Sequence, residues 1–199
     1  MTNPIVAGIV DLGSANLANV ARALERCGAH TRIVANAGDI AGCGALVLPG
    51  VAHVGYICAI MDERGLRDPI LRAVARGTPI LGICAGYHVL FEGSDEDPDV
   101  RGLAIFEGRV TRLKTRRTPH MGWNLVRDRD ERAYWAYFAH SFAPAETPHV
   151  LAWTTHESYR FASMARRGSV WGVQFHPERS GAYGRDVINA FLRAAGQGR

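Results

Sequence analysis

Short apolar segments that alternate with helical repeats fill the first half of the chain. The apolar segments cover residues 5–10, 31–34, 45–48 and 79–83, and apolar side chains recur at helical spacing through residues 17–24 and 70–74. Glycine or a Pro-Gly pair ends most of these elements, as expected at turns and helix ends. Strand, helix and strand in succession predict a parallel sheet that is covered by helices on both faces.

The second half has a different pattern, in which strand-like runs follow one another without helices between them. These runs cover residues 109–113, 121–126, 134–142, 150–155, 161–165 and 170–175, and residues 187–192 fit a closing helix. Between the two halves, residues 85–91 favour a helix and the acidic residues 93–100 a loop. Neither a linker nor an internal repeat divides the chain. We therefore predict one α/β domain over residues 1–199, with a mostly parallel central sheet flanked by helices and extended by antiparallel strands.

Charge and cysteine spacing argue against several classes of function. The chain has 23 basic and 19 acidic residues, a net charge of +4, and one loose basic cluster at residues 109–117. A nucleic-acid-binding protein usually has a denser basic stripe, so we expect no nucleic-acid partner. The cysteines at 27, 43, 58 and 84 form no C-x-x-C pair. We therefore expect no metal site, and the sequence points to no cofactor.

One uncharged segment, residues 40–61, is long enough to span a bilayer. Glycines at 42, 44, 50 and 55 and a proline at 49 interrupt it, so we interpret it as a strand, a turn and a buried helix. The first 13 residues have no basic cluster and include Asp11, which is unlike a signal peptide. These features predict a cytoplasmic protein with no membrane segment.

The strongest local motif is Gly82-Ile83-Cys84-Ala85-Gly86, directly after an apolar strand. A nucleophile framed by glycines between a strand and a helix is typical of a nucleophile elbow, because the glycines allow the sharp turn and a close helix–strand approach. The start of the helix also favours a thiolate over a thiol. We predict that Cys84 is a nucleophile and that the other three cysteines are structural.

A thiolate nucleophile needs a base, and the base needs a group that orients it. His176-Pro177-Glu178 follows the apolar run 170–175. The residue before a proline is held extended, and side chains two apart on an extended segment point to one side. His176 and Glu178 are therefore expected together past the carboxyl end of a strand, where ligand sites of open α/β sheets lie.

The elbow and the His-Pro-Glu motif together resemble class I (triad) glutamine amidotransferases. Further segments resemble one subfamily, the glutaminase subunit of imidazole glycerol phosphate synthase in histidine biosynthesis. They occur in order and at the expected spacing, at residues 9–17, 47–51, 119–124, 137–142 and 171–181. His120-Met121-Gly122-Trp123-Asn124 is the most discriminating segment, since other triad amidotransferases generally lack it.

The resemblance implies a glutaminase mechanism. Cys84 would attack the side-chain amide of L-glutamine, His176 would carry the proton to the departing ammonia, and Glu178 would hold the imidazole. The family's oxyanion hole corresponds to the amide of Ala85 and to the segment containing Val51 and Ala52. Glutamine-binding positions correspond to Gly50, His88, His140 and Ser141.

The resemblance also implies a partner. In this subfamily the ammonia passes to a cyclase subunit with a (β/α)8 barrel, which forms imidazole glycerol phosphate and the aminoimidazole carboxamide ribotide by-product, and the two subunits form a heterodimer. The docking face on this chain would contain the residues Met121, Trp123, Asn124, Tyr137 and Arg179. Ordinary core packing is the alternative explanation for the two aromatic residues.

Three departures from the family pattern stand near the site. Ala52 replaces a usual glycine, His88 replaces a usual glutamine that contacts substrate, and Ser14-Ala15-Asn16 replaces the commoner Met-Gly-Asn. A side chain at position 52 would hinder any backbone flip that requires positive φ. We therefore expect the chain alone to be a poor glutaminase that a cyclase carrying its ligand activates.

Two other functions stay open at this point. One is a paralogous glutaminase that supplies ammonia to a different synthase, and the other is a catalytically silent partner subunit. The intact Cys84, His176 and Glu178 argue against the silent subunit. The paralogue is not distinguished by this chain, because the ammonia acceptor would bind to the other subunit.

Overall fold

The part of the chain that the structure describes folds into two β-sheets and five helices. The computed structural model describes residues 4–144 and 146–197. The strands are β1 (Val6–Val10), β2 (His30–Val34), β3 (Ala45–Gly50), β4 (Ile80–Cys84), β5 (Phe91–Ser94), β6 (Asp97–Arg101), β7 (Phe106–Arg112), β8 (His120–Asp128), β9 (Ala133–His140), β10 (Phe142–Pro144), β11 (Val150–His156), β12 (Tyr159–Arg167) and β13 (Val170–Val173). The helices are α1 (Leu17–Arg26), α2 (Val54–Glu63), α3 (Arg67–Ala75), α4 (Ala85–His88) and α5 (Gly181–Gln197), with short 3₁₀ turns at Ala37–Ile40 and Pro177–Arg179.

The larger sheet has nine strands in the order β2-β1-β3-β4-β13-β12-β11-β8-β9. Its first five strands are parallel, and β12, β11, β8 and β9 continue it in antiparallel pairs. The predicted fold class, a central parallel sheet extended by antiparallel strands, is confirmed. No helix in the described part of the chain is both long and apolar enough to cross a membrane.

Burial explains why the central strands read as continuous apolar runs. Every residue of β3, β4 and β13 is buried, because both faces of the sheet are covered. Val47 and Leu81 face a core shared with α1 and α5, whereas Leu46 and Leu48 face a core shared with α2 and α3. The side chains alternate between these two cores at the period of two that a strand requires.

The smaller sheet, in the order β10-β7-β5-β6, was not predicted. The predicted helix over 85–91 is wrong in its second half, since α4 ends at His88 and the chain enters β5 at Phe91. The carbonyls of residues 89–92 accept hydrogen bonds from the amides of residues 102–106, with N···O distances of 2.7–3.1 Å, instead of from a continuing helix. The predicted acidic loop 93–100 contains most of the β5–β6 hairpin.

A close packing contact fixes β13 against α4. Gly172 pairs with Gly82 of β4, and an added Cβ on Gly172 would lie 1.9 Å from Cδ2 of the buried Tyr87 ring. The ring sits on the glycine and has no partner for its hydroxyl among the described residues. A side chain larger than hydrogen therefore has no room at position 172.

This contact predicts the effect of a single methyl group. Gly172→Ala should lower the free energy of unfolding by about 1–3 kcal/mol, because overpacking forces Tyr87 and its neighbours to move. Gly196→Ala, on α5, is the matched control, since the nearest atom that its Cβ would meet outside the helix backbone is Cδ1 of Ile5, at 3.8 Å. Urea unfolding measures both, and equal stabilities of the two variants would contradict the packing argument.

Candidate active site

Cys84 lies at a sharp turn between β4 and α4. Its backbone has φ +54° and ψ −111°, a conformation that non-glycine residues rarely adopt. A Cβ added to Gly82 would lie 2.5 Å from the Gly86 carbonyl oxygen, and a Cβ added to Gly86 would lie 1.7 Å from the Leu48 carbonyl oxygen. The two glycines are therefore required sterically, and together they present the sulfur beyond the end of β4. Because α4 has only four residues, its dipole adds little to the chemistry of that sulfur.

Strand order brings the His-Pro-Glu motif to the same edge. β4 lies between β3 and β13, with Gly50 opposite Cys84 and Val173 opposite Ile83. His176 lies three residues after the end of β13, near enough to Cys84 for the sulfur to help raise the pKa of its ring. Its amide donates to the Tyr137 carbonyl at 2.9 Å, so β9 holds the segment in place. The adjacency that the sequence predicted for parallel strands thus joins residues almost a hundred positions apart.

His176 and Glu178 form a buried pair. The Nδ1 atom of His176 lies 2.9 Å from Oε1 of Glu178, and both side chains are about one-tenth exposed or less. Since a carboxylate only accepts, Nδ1 carries the proton. The Oε2 atom of Glu178 is buried with no partner among the described residues, so the carboxylate's interaction is concentrated on the imidazole.

The surroundings of His176 favour its protonated form. Burial alone disfavours the charged ring, but the contacts with Cys84 and with Glu178 outweigh burial and raise the pKa of His176 to about 10. At neutral pH the ring is therefore an imidazolium. A buried cation beside a sulfur and a carboxylate is the arrangement of an acid–base pair for a thiolate nucleophile.

Cys84 opens onto a cavity of about 320 Å³. Its lining includes most of the residues that the resemblance assigned to the oxyanion hole and to glutamine binding, namely Val51, Ala52, Ala85, His88, His140 and Ser141. Gly50 instead lines a neighbouring cavity of about 160 Å³, together with His176, Glu178 and Arg179. The two cavities share Val51, so the segment after β3 separates them.

The cavity also contains an acidic residue that the sequence reasoning missed. Glu96 lies between β5 and β6, and its Oε2 accepts a hydrogen bond from the Val54 amide at 3.1 Å. Burial raises the pKa of Glu96, although that hydrogen bond opposes the shift. No other carboxylate is among the described residues that line this cavity. Sequence pattern alone gave no reason to choose it among the acidic residues 92–99.

His140 is buried, and both of its ring nitrogens are already bonded within the protein. Its Nδ1 lies 2.9 Å from the Phe142 carbonyl oxygen, which only accepts, so Nδ1 carries the proton. Nε2 therefore accepts from Nδ1 of His120 at 3.0 Å, and Nε2 of His120 accepts from Nδ2 of Asn124 at 3.0 Å. Any contact between His140 and a substrate must then use its main chain.

The segment after β3 lines the Cys84 cavity, but its first amide bonds to the loop before α1. The Val51 amide donates to Oγ of Ser14 at 3.5 Å, and the Val51 side chain is 62% exposed. Neither Val51 nor Ala52 has positive φ. The Ala85 amide differs, because it begins α4 and has no acceptor within the helix. Of the predicted oxyanion donors, the one at Ala85 is free of intrahelical bonding and the one at Val51 is engaged elsewhere.

An exposed apolar face lies on the β8–β9 hairpin. Met121, Trp123 and Trp135 are each more than half exposed, and Tyr137 lies between them under the Arg179 guanidinium, 3.8 Å from its ring centroid. Trp135 was not predicted for this face, because a tryptophan in a strand is usually buried in the core. Asn124 has its side chain on the opposite face of the hairpin, bonded to His120 and to the Thr155 carbonyl.

Known proteins resemble this chain over almost its whole length. The family model for glutamine amidotransferase class-I matches residues 8–195. The imidazole glycerol phosphate synthase subunit HisH of Deinococcus radiodurans is 36% identical, over 96% of this chain and 97% of that protein. The protein of the same name from Pyrococcus furiosus is 39% identical, over 93% and 97%. A solved structure titled glutamine amidotransferase has the same fold, with a TM-score of 0.80 at 23% identity over 96% and 98% of the two chains.

The histidine environments predict widely separated titrations. Nuclear magnetic resonance of labelled histidines should place His176 near pH 10, and His88 and His120 near pH 4, because burial lowers the pKa of those two rings. As pH falls from about 6.5 towards 4, these two histidines take up protons in the unfolded chain but stay neutral in the folded protein. The free energy of unfolding should therefore fall over this range. Single His→Asn variants assign the signals. A His176 midpoint below pH 7 would contradict the imidazolium assignment.

Proposed function

The chain belongs to the class-I glutamine amidotransferase family, and we propose that it is the glutaminase subunit of an imidazole glycerol phosphate synthase. It hydrolyses L-glutamine to glutamate and ammonia, and a cyclase subunit uses the ammonia in histidine biosynthesis. The observation that carries the proposal is the buried set of Cys84, His176 and Glu178 at one edge of the sheet. Relatives at 36% and 39% identity, named as subunits of that synthase, match this chain over nearly their whole length.

Acylation begins with the Cys84 sulfur as a thiolate beside an imidazolium. The sulfur adds to the side-chain carbonyl carbon of glutamine, and the carbonyl electron pair moves to oxygen. His176 then gives its proton to the nitrogen, the carbon–nitrogen bond breaks, and ammonia departs. The glutamyl group stays on Cys84 as a thioester. The high pKa of His176 means that the proton needed for this departure is already in place at neutral pH.

Deacylation requires the opposite role from the same ring. Once Cys84 is a thioester, its sulfur no longer carries the charge that helps to raise the pKa of His176. The ring can then take a proton from water, whose oxygen attacks the thioester carbonyl carbon. Glutamate leaves, and Cys84 and His176 recover their starting state. Glu178 keeps Nδ1 protonated through both steps, so that Nε2 exchanges the protons.

Binding of a free amino acid requires groups for two charges. We assign the α-ammonium of glutamine to Glu96, the carboxylate in the cavity. Ser141 and the main chain at His140 line the same cavity and are suited to the polar atoms of the amino-acid end. His88 also lines this cavity but is 4% exposed, so little of its ring is accessible from the cavity.

The apolar face of the β8–β9 hairpin is suited to a partner subunit. We propose that the cyclase, with the (β/α)8 barrel known for the subfamily, covers Met121, Trp123 and Tyr137, with Trp135 and Arg179 beside them. Exposed aromatic residues and arginine are enriched at the centres of protein interfaces. Asn124 supports this face from behind through His120 rather than by touching the partner.

Replacement of the nucleophile tests the function directly. Cys84→Ser should lower glutamate release from glutamine by at least about a thousandfold, because serine does not form an anion in this setting. With an imidazole glycerol phosphate cyclase and ammonium salts supplied directly, synthesis should continue. Cys27→Ser is the matched control and should keep full activity.

The two alternatives give different results in the same assay. If glutamate release survives Cys84→Ser, the nucleophile is wrong. Ammonia transfer to another synthase, but not to the cyclase, would favour the paralogue. Absence of glutaminase activity with every partner, in a folded chain, would favour the silent subunit.

The position of the Val51 amide predicts weak activity of the chain alone. That amide donates to Ser14 and so does not face the Cys84 cavity as an oxyanion donor. Ser14→Ala should raise glutamate release by the chain alone at least about twofold. The increase should stay below the ~10²–10³-fold that one such donor contributes. Ala52→Gly should act in the same direction by easing rotation of the backbone.

A conservative variant serves as the control for this prediction. Ser14→Thr retains the hydroxyl acceptor and should retain low activity without a partner. Addition of cyclase with its ligand should activate the wild-type chain most and Ser14→Ala least. Equal rates for the free chain, the complex and the liganded complex would refute the coupling.

A further inference from the structure

Gln174 occupies a buried position between the nucleophile and His88. It follows β13 and its side chain is fully buried. Its Oε1 lies 2.7 Å from Nε2 of His88, and its Nε2 lies 3.9 Å from Sγ of Cys84, within the longer range of hydrogen bonds to sulfur. The side chain therefore links the elbow helix to the reacting sulfur, and the mechanism above does not use it.

The bond to His88 fixes the direction of the amide. An amide oxygen only accepts, so Nε2 of His88 must carry a proton and donate it. Burial lowers the pKa of His88 to about 4, so the ring is neutral at pH 7 and this proton is the only one it carries. With the carbonyl end held at His88, the NH₂ end faces the sulfur.

The sulfur has two opposing neighbours in addition to His176. The Ala139 carbonyl oxygen lies 3.8 Å from Sγ and can accept the proton of a thiol. The same oxygen repels a thiolate, whereas an N–H group attracts it. The Gln174 amide is the second neighbour. Its NH₂ end stabilises a thiolate and its oxygen destabilises one, so the direction of the amide decides its effect on the sulfur.

We propose that Gln174 is a catalytic residue that directs an N–H group at the Cys84 sulfur and stabilises its thiolate, and that His88 is a positioning residue that sets the direction of the Gln174 amide. This inference rests on the proposed function. The sulfur carries charge before it attacks glutamine and again when it leaves the thioester, so one N–H group assists both steps. His88, which departs from the family pattern, acts on the substrate through Gln174 and the nucleophile.

The test is the pH profile of alkylation of Cys84 by iodoacetamide, followed by peptide mapping. Gln174→Met keeps the size of the side chain and removes the N–H group. It should move the midpoint of the profile up by about one pH unit, which is about tenfold less thiolate below the midpoint. His53, His88, Glu96 and His140 around the cavity and the contacting His176 are all unchanged in this variant, so the comparison isolates the amide.

Two variants of His88 examine the orientation. His88→Ala releases the Gln174 amide and should shift the midpoint upwards too. His88→Gln offers an N–H group to the same oxygen and should keep the wild-type midpoint. The double variant Gln174→Met with His88→Ala should shift no further than Gln174→Met alone, because His88 acts only through Gln174.

The outcomes separate this inference from the proposed function. A lower melting temperature with an unchanged midpoint in Gln174→Met would leave Gln174 a packing residue and overturn the proposal. If that variant does not fold, equal midpoints for His88→Ala and wild type would overturn it instead. Alkylation reports on the sulfur alone, so shifted midpoints without any glutamine turnover would refute the glutaminase function and leave the Gln174 contact standing.

Discussion

The close approach of α4 to β3 determines where the nucleophile lies. Gly86 packs against the Leu48 carbonyl so closely that a single Cβ would overlap it. Gly172 receives the Tyr87 ring from the other side of the same short helix. These two contacts seat α4 over the carboxyl ends of β3, β4 and β13, and the positive φ of Cys84 follows from the turn that this seat requires. Without them the sulfur would not reach the end of β13.

Electrostatics at the site depend on the same seating. His176 is buried, which by itself would keep the ring neutral, as it does for His88 and His120. The difference is that His176 lies between a sulfur and a carboxylate, whereas the other two have only neutral or like-charged neighbours. With His140, whose pKa burial also lowers, these histidines divide into one cation and three neutral rings, and the neutral rings serve as donors and acceptors in fixed directions.

Sequence patterns predicted those parts of the fold in which local and long-range preferences agree. Buried strands such as β3 and β4 and the glycine-framed turn at Cys84 have local signals, and the edge at which parallel strands end brought His176 to Cys84. The smaller sheet was missed because the carbonyls near Phe91 bond to residues 102–106, a contact that no local pattern encodes. Glu96 and the contacts of Gln174 and Ser14 were missed for the same reason, since each of these residues bonds to one more than thirty positions away.

The β8–β9 hairpin connects the exposed face to the site through its two sides. Met121 belongs to both, because it is 65% exposed and also lines the cavity of Cys84. A subunit that covers Met121 and Trp123 would therefore also contact part of the lining of that cavity. On the other side of the same strands, Asn124, His120 and His140 form a chain of directed hydrogen bonds that ends beside Ser141. A displacement of β8 on docking has to move either that chain or the Phe142 carbonyl to which it is bonded. The two sides of one hairpin therefore join the exposed face to the lining of the Cys84 cavity, and this is the route by which we propose that docking acts on glutamine binding.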